Sequence, residues 1–182
     1  MKAPKTNLHK SGFPPVATPG SCLLILGSMP GEKSLEKQEY YAHPRNLFWP
    51  FIAGLANEDV PIGYMQKQQL LARLNIALWD VCDTCIRQGS LDTAILEETP
   101  NKLDLFLDEH PSVRTIAFNG QKAASLYRKY CTPRDGITYL TLPSTSPANA
   151  GSNMDDKRKA WMGLKSRLKA IEPSSDSENK PG

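Results

Sequence analysis

Residues Cys22 to Leu26 (CLLIL) form an unbroken apolar run closed by Gly27, the pattern of a strand buried on both faces, as in a parallel sheet covered by helices on either side. The pattern recurs at Ile76 to Trp79 (IALW) before Asp80, at Thr115 to Phe118 (TIAF) before Asn119 and Gly120, and at Thr138 to Leu142 (TYLTL) before Pro143. Between these runs the apolar positions predict helices over Phe48 to Leu55, Tyr64 to Leu74, Lys102 to Glu109 and Gln121 to Tyr130. A last helix, Met154 to Ala170, sets Trp161, Leu164 and Leu168 on one stripe, with Lys157, Arg158, Lys165 and Lys169 mostly outside it. This alternation, at intervals long enough for crossover connections, predicts an α/β fold: a three-layer α/β/α sandwich around a central four-stranded, mainly parallel sheet.

A chain of 182 residues, 40% of them hydrophobic, has enough apolar material for one domain. We place that domain at residues 21–171, after a flexible N-terminal segment (1–20) and before a disordered tail (172–182, EPSSDSENKPG) rich in Ser, Pro and charge. No stretch resembles a signal-peptide core or a membrane span, so the expected location is cytoplasmic, on the nucleoid if the source is prokaryotic. The net charge of +3 permits contact with phosphates without requiring it. Cys82 and Cys85 form a CxxC, but no second ligand pair stands at zinc spacing and the context of a redox pair is only loosely met, so neither metal nor redox chemistry is expected.

Ligands of open parallel sheets sit beyond the carboxyl ends of the strands, which here begin at Gly27, Asp80, Asn119 and Pro143. The first such segment, GSMPGEKSLEKQEYYAHPRNLFW (Gly27 to Trp49), is too long and too rich in special residues for a plain connection. It has neither the spacing of a phosphate-binding loop nor that of a dinucleotide fingerprint. Its aromatic rings, amide and cation suit a planar polar heterocycle held by stacking and hydrogen bonding. The last segment, LPSTSPANAGS (Leu142 to Ser152), offers N–H groups and hydroxyls to a phosphate ahead of a helix, although for this segment alone capping by Ser152 or Asn153 and a turn at Pro147 is the better account. Asp80 is placed to activate a water or merely to cap the next turn, and Asn119 to read a base edge or merely to end its strand. Trp49, Trp79 and Trp161 read as core.

Taken together, GSMPG, YYAHPRNLFW and LPSTSPANA resemble the motif set of the uracil-DNA glycosylase superfamily, most closely its hypoxanthine-DNA glycosylase (DNA-deoxyinosine glycosylase) branch, over about Cys22 to Leu168. HPRNLFW is also similar to the HPxNxFW stretch of the mismatch-specific uracil and thymine glycosylases. The resemblance implies base excision repair of DNA containing deaminated bases, chiefly deoxyinosine, by a monomer that flips the base into a pocket and needs no cofactor. It assigns the catalytic role to Asn46, stacking on the base to Tyr41 with Tyr40 as the alternative, and the minor groove to Ser144, Thr145 and Ser146; by position, Ser28, Met29, His43, Asp80 and Asn119 are candidates for base binding, and Arg45 and Pro147 for DNA binding. Met29 departs from the mismatch-specific pattern, in which the matching position is a catalytic Asn, and this argues against uracil removal by that route.

Cleavage of the glycosidic bond leaves positive charge on the sugar and negative charge on the base. Asn46 would either orient water toward C1′ or hydrogen-bond the departing base. With no lysine marked as a Schiff-base nucleophile, the expected enzyme is monofunctional. A uracil or mismatch glycosylase, a hydrolase of free nucleosides and a non-catalytic damage-binding module are the competing functions.

Overall fold

The computed structural model describes residues 8–149 and 151–168. In chain order its elements are β1 (His9–Ser11), β2 (Leu23–Gly27), α1 (Glu32–Lys37), α2 (Phe48–Ala56), α3 (Tyr64–Arg73), β3 (Ile76–Asp80), β4 (Cys82–Ile86), β5 (Leu96–Pro100), α4 (Leu103–Glu109), β6 (Thr115–Asn119), α5 (Gln121–Tyr130), β7 (Thr138–Leu142) and α6 (Met154–Met162). All four apolar runs are strands of one parallel sheet, ordered β3-β2-β6-β7. Every residue of β2, β3 and β6 is buried, as expected of strands covered on both faces.

Register fixes which side chains share a face. Trp79, Leu26, Phe118 and Thr141 stand in one row across the sheet. On that face α4 and α5 form the cover, with Trp79 against Phe106 (ring centroids 5.4 Å apart) and Phe118 against Tyr127 (5.2 Å). One residue further along each strand the side chains point to the other face. That second row holds Asp80, Gly27, Asn119 and Leu142.

Helices α2, α3 and α6 pack on one another in the other layer. Its centre is Trp161, fully buried, edge-on to Phe48 and stacked on Phe51, with its indole N–H donated to the Pro143 carbonyl at 2.9 Å. The predicted final helix stops at Met162 and tightens into a 3₁₀ turn over Gly163–Arg167, since Gly163 is a poor helix former. Lys157 does not lie outside the buried stripe: it is 5% exposed, and its ammonium donates to the Asn149 carbonyl at 2.6 Å.

Three features lie outside the predicted pattern. Helix α1 is short. A second, antiparallel sheet, β1-β4-β5, stands beside the first. The N-terminal segment, expected to be flexible, is tied down from β1 onward: Val16 exchanges backbone hydrogen bonds with Leu78 on the edge of β3, and Trp79 donates its indole N–H to the Phe13 carbonyl. The segment makes these bonds with its own backbone groups, which leaves no periodicity to read. Residues 1–7, the expected tail and the last two positions of the predicted final helix lie outside the described residues.

The CxxC lies in β4, whose pairing with β5 is irregular between the two cysteines. Both thiols are buried, and burial pushes Cys82 up to about 12 and raises Cys85, which leaves them protonated and unreactive. Among the described residues no helix is long and apolar enough to cross a membrane.

Trp161→Ala is expected to destabilise the fold by about 3–5 kcal/mol, because it empties a large core site and orphans the Pro143 carbonyl. Chemical denaturation checks this, and a loss below about 1 kcal/mol would mean that the layer collapses around the gap.

Candidate active site

The row Asp80–Gly27–Asn119 forms the floor of a cleft of about 750 Å³ at the carboxyl ends of the strands. Gly27 separates an acid from an amide, and the missing side chain is what opens the floor. A Cβ there would overlap Asp80 Oδ1 and lie 2.9 Å from the Tyr41 hydroxyl, which enters the same slot. Neither Asp80 Oδ2 nor the Tyr41 hydroxyl is exposed to solvent or hydrogen-bonded. Burying polar atoms without partners costs about 1–3 kcal/mol each, so this corner of the floor lowers the stability of the fold.

Tyr41 reaches the slot through a backbone in the left-handed region (φ 53°), a conformation rarely adopted by an aromatic residue. One face of its ring stacks on Phe48, with centroids 4.0 Å apart and planes inclined by 21°. Asn46 stands just before α2 on the wall of the cleft. Its carboxamide oxygen accepts the Phe48 N–H at 2.9 Å, which fixes the side chain while its NH₂ has no such tie. His43, also on the wall, accepts the Arg45 N–H through Nδ1 at 3.1 Å, so the neutral ring carries its proton on Nε2.

The other expected site residues divide by what already occupies them. Tyr40 is 3% exposed, donates its hydroxyl to the Pro14 carbonyl at 3.1 Å and accepts the Trp49 indole N–H at its own carbonyl; it braces the cleft. Met29 is buried on the floor loop, and Ser28 donates its hydroxyl to Asp92 Oδ1 at 2.5 Å. Asn119 lies on the cleft floor with its amide already tied to a neighbouring loop. Its Nδ2 donates to Thr145 Oγ1 at 2.8 Å and its Oδ1 accepts the Thr145 N–H at 2.9 Å. Its side chain also stands beside the Tyr41 hydroxyl.

Thr145 is buried, at 1% exposed, and its carbonyl accepts the Leu47 N–H. This one residue ties the 143–149 loop to β6 and to the segment that carries Asn46. Ser144 and Ser146 remain half-buried on the rim with Pro147, their hydroxyls accepting the Ser146 and Ala148 N–H groups. Arg45 is exposed beside the cleft without lining it. Gly120, in a left-handed conformation (φ 98°), leaves room for Ser144, which a Cβ would approach to 3.1 Å.

Ser90, Asp92 and Lys122 also line the cleft. The first two lie on the connection from β4 to β5; Ser90 belongs to the CDTCIRQGSLD stretch that follows Asp80 at its strand end, whereas nothing in the spacing marks Asp92. Arg87, on the same connection, is 1% exposed, donates one N–H to the Pro30 carbonyl and leaves Nε and Nη1 without partners. It supports the floor loop from beneath. Asp80 is raised to about 7, chiefly by burial and further by the charge of Asp92, with Arg87 opposing. Burial also raises Tyr40 and Tyr41 well above the ordinary phenol range.

The sequence profile of the Uracil DNA glycosylase superfamily matches residues 14–165. Two relatives, each named a hypoxanthine DNA glycosylase, are 39% identical over 155 residues (Methanosarcina barkeri; 85% of this chain, 96% of the relative) and 38% identical over 143 residues (Methanosarcina acetivorans; 77% and 88%). A solution structure from Methanosarcina acetivorans, described as a candidate uracil DNA glycosylase, matches with a TM-score of 0.73 at 34% identity, covering 86% of this chain and 96% of that one. The chain belongs to the uracil DNA glycosylase superfamily. It is by that membership a DNA glycosylase, with the α/β fold of the group.

In this glycosylase Asp80 makes the native state hold a proton that the unfolded chain releases. Its ordinary value is 3.8 and its folded value about 7, so native Asp80 binds more protons between those limits and its contribution to stability falls as pH rises through them. Asp80→Asn removes that dependence. The melting temperature of the variant should exceed that of the wild type by a margin that widens from pH 4 to pH 7, reaches several degrees and then levels. Thermal unfolding across that range is the check, and a margin independent of pH would mean that Asp80 is not held neutral.

Proposed function

We propose that this DNA glycosylase hydrolyses the N-glycosidic bond of deoxyinosine in DNA, freeing hypoxanthine and leaving an abasic site in an uncut strand. The observation that carries this reading is the cleft: its volume suits a single nucleotide turned out of the duplex, and its aromatic wall, fixed carboxamide and buried polar floor suit a base with several polar edge atoms. The two relatives named for hypoxanthine support the choice of base.

The roles follow from geometry. Tyr41, backed by Phe48, offers its other face to the extruded purine. Asn46 lies at the entrance of α2, above the floor, where the sugar follows the base inward. There it orients a water at C1′, since an amide holds water well and accepts no proton. His43 donates from Nε2 to a base carbonyl. Arg45, Ser144, Ser146, Pro147 and, from the far rim, Lys122 meet the phosphates and minor groove. No covalent adduct is needed, so the strand stays intact. One chain supplies every group, so a monomer suffices, acting on DNA in the cytoplasm or nucleoid. Opening the duplex costs a few kcal/mol, less where inosine faces thymine, and this adds selectivity for the lesion.

Base release from duplexes carrying one deoxyinosine or one deoxyuridine is the test. Hypoxanthine should be freed, and Asn46→Ala should slow its release by about 100-fold or more while DNA binding persists. Release of uracil alone would assign the enzyme to another branch, and release of neither base with retained binding would leave a damage-recognition module.

A further inference from the structure

Asn46 accounts for attack at the sugar but not for the charge that accumulates on the departing purine. The cleft contains a second group that the reading above leaves unused. Asp80 lines the floor, is 3% exposed, and has an oxygen sealed from solvent with no hydrogen-bond partner. The groups packed around it are named readily: Asp92 from the β4–β5 connection, Arg87 beneath the floor loop, Cys82 on β4, and Tyr40 and Tyr41 from the first loop. No cation is within salt-bridge distance of the carboxyl among the described residues. The site therefore favours a neutral acid over a carboxylate.

Depth separates the two polar groups. Asn46 is half-exposed on the wall, whereas Asp80 is buried beside Gly27 on the floor. A nucleotide entering base first brings its base edge to Asp80 and its C1′ to Asn46. We propose that Asp80, in its protonated form beside the Tyr41 hydroxyl, is the general acid that protonates the departing purine.

This inference rests on the release of hypoxanthine proposed above. In the step, the Asp80 O–H proton passes to N7 of the purine, and the C1′–N9 bond breaks with its electron pair moving into the ring. The water held by Asn46 bonds through oxygen to C1′ and gives one proton to solvent, from which the Asp80 carboxylate regains its own. One water is consumed, and the products are a hydroxylated sugar and neutral hypoxanthine. A carboxyl that titrates near 7 is matched to such a transfer at neutral pH.

The test is single-turnover release of hypoxanthine from a deoxyinosine duplex between about pH 5.5 and about pH 9, for wild type and Asp80→Asn. The wild-type rate should be level at low pH and fall about tenfold per pH unit above roughly 7. Asp80→Asn should be slower by about 100-fold at low pH, with that decline absent and DNA binding kept. A variant as fast as wild type, or a slow one that keeps the decline, overturns the inference while the function stands. If the variant does not fold, the wild-type profile decides: a level rate across the range overturns the inference. A wild type that frees no hypoxanthine at any pH overturns the function and the inference together.

Discussion

The structure turns on one row of side chains. Where β3, β2 and β6 end in register, they present Asp80, Gly27 and Asn119 to the same face. The acid and the amide are kept apart by a residue with no side chain, and the Tyr41 hydroxyl enters the slot so formed. Any larger residue at Gly27 would push against two buried polar atoms. The parallel sheet thereby sets the depth of the cleft, the ring that walls it and the height at which Asn46 stands.

Around that row the protein spends stability on the site. A left-handed tyrosine, an unpartnered buried carboxyl and a buried guanidinium with two free donors each cost free energy that apolar replacements would recover. They persist because neighbouring elements over-determine them. Asn119 clamps Thr145 twice, Thr145 holds Leu47, and Asn46 is locked onto the first turn of α2. Behind this, Trp161 joins α6 both to α2 and to the Pro143 carbonyl at the base of the same loop.

Much of this was legible in the sequence because burial on both faces writes itself as unbroken apolar runs. The four runs gave the four strands to within one residue, and their ends gave the segments that build the cleft. Asn46, Tyr41 and His43, to which the resemblance carried by YYAHPRNLFW points, line the cleft. The identities of Thr145 and Asn119 could not reveal that they bind each other, since only the fold brings positions 119 and 145 together. The same holds for Lys157, whose buried tie to Asn149 contradicts its place among exposed charges. The β1-β4-β5 sheet escaped notice because its pairing is long-range and β5 (LEETP) is almost wholly exposed, leaving no apolar pattern.

The central claim is that an extruded purine nucleotide lies in this cleft with its sugar at Asn46 and its base edge on the Asp80 floor. The most direct measurement is a crystal structure of the protein bound to a duplex containing 2′-fluoro-2′-deoxyinosine, which resists cleavage. The account predicts hypoxanthine stacked on Tyr41, N7 within hydrogen-bonding distance of Asp80 and C1′ facing Asn46. A base still stacked in the duplex, or DNA seated on a face remote from the strand ends, would contradict it.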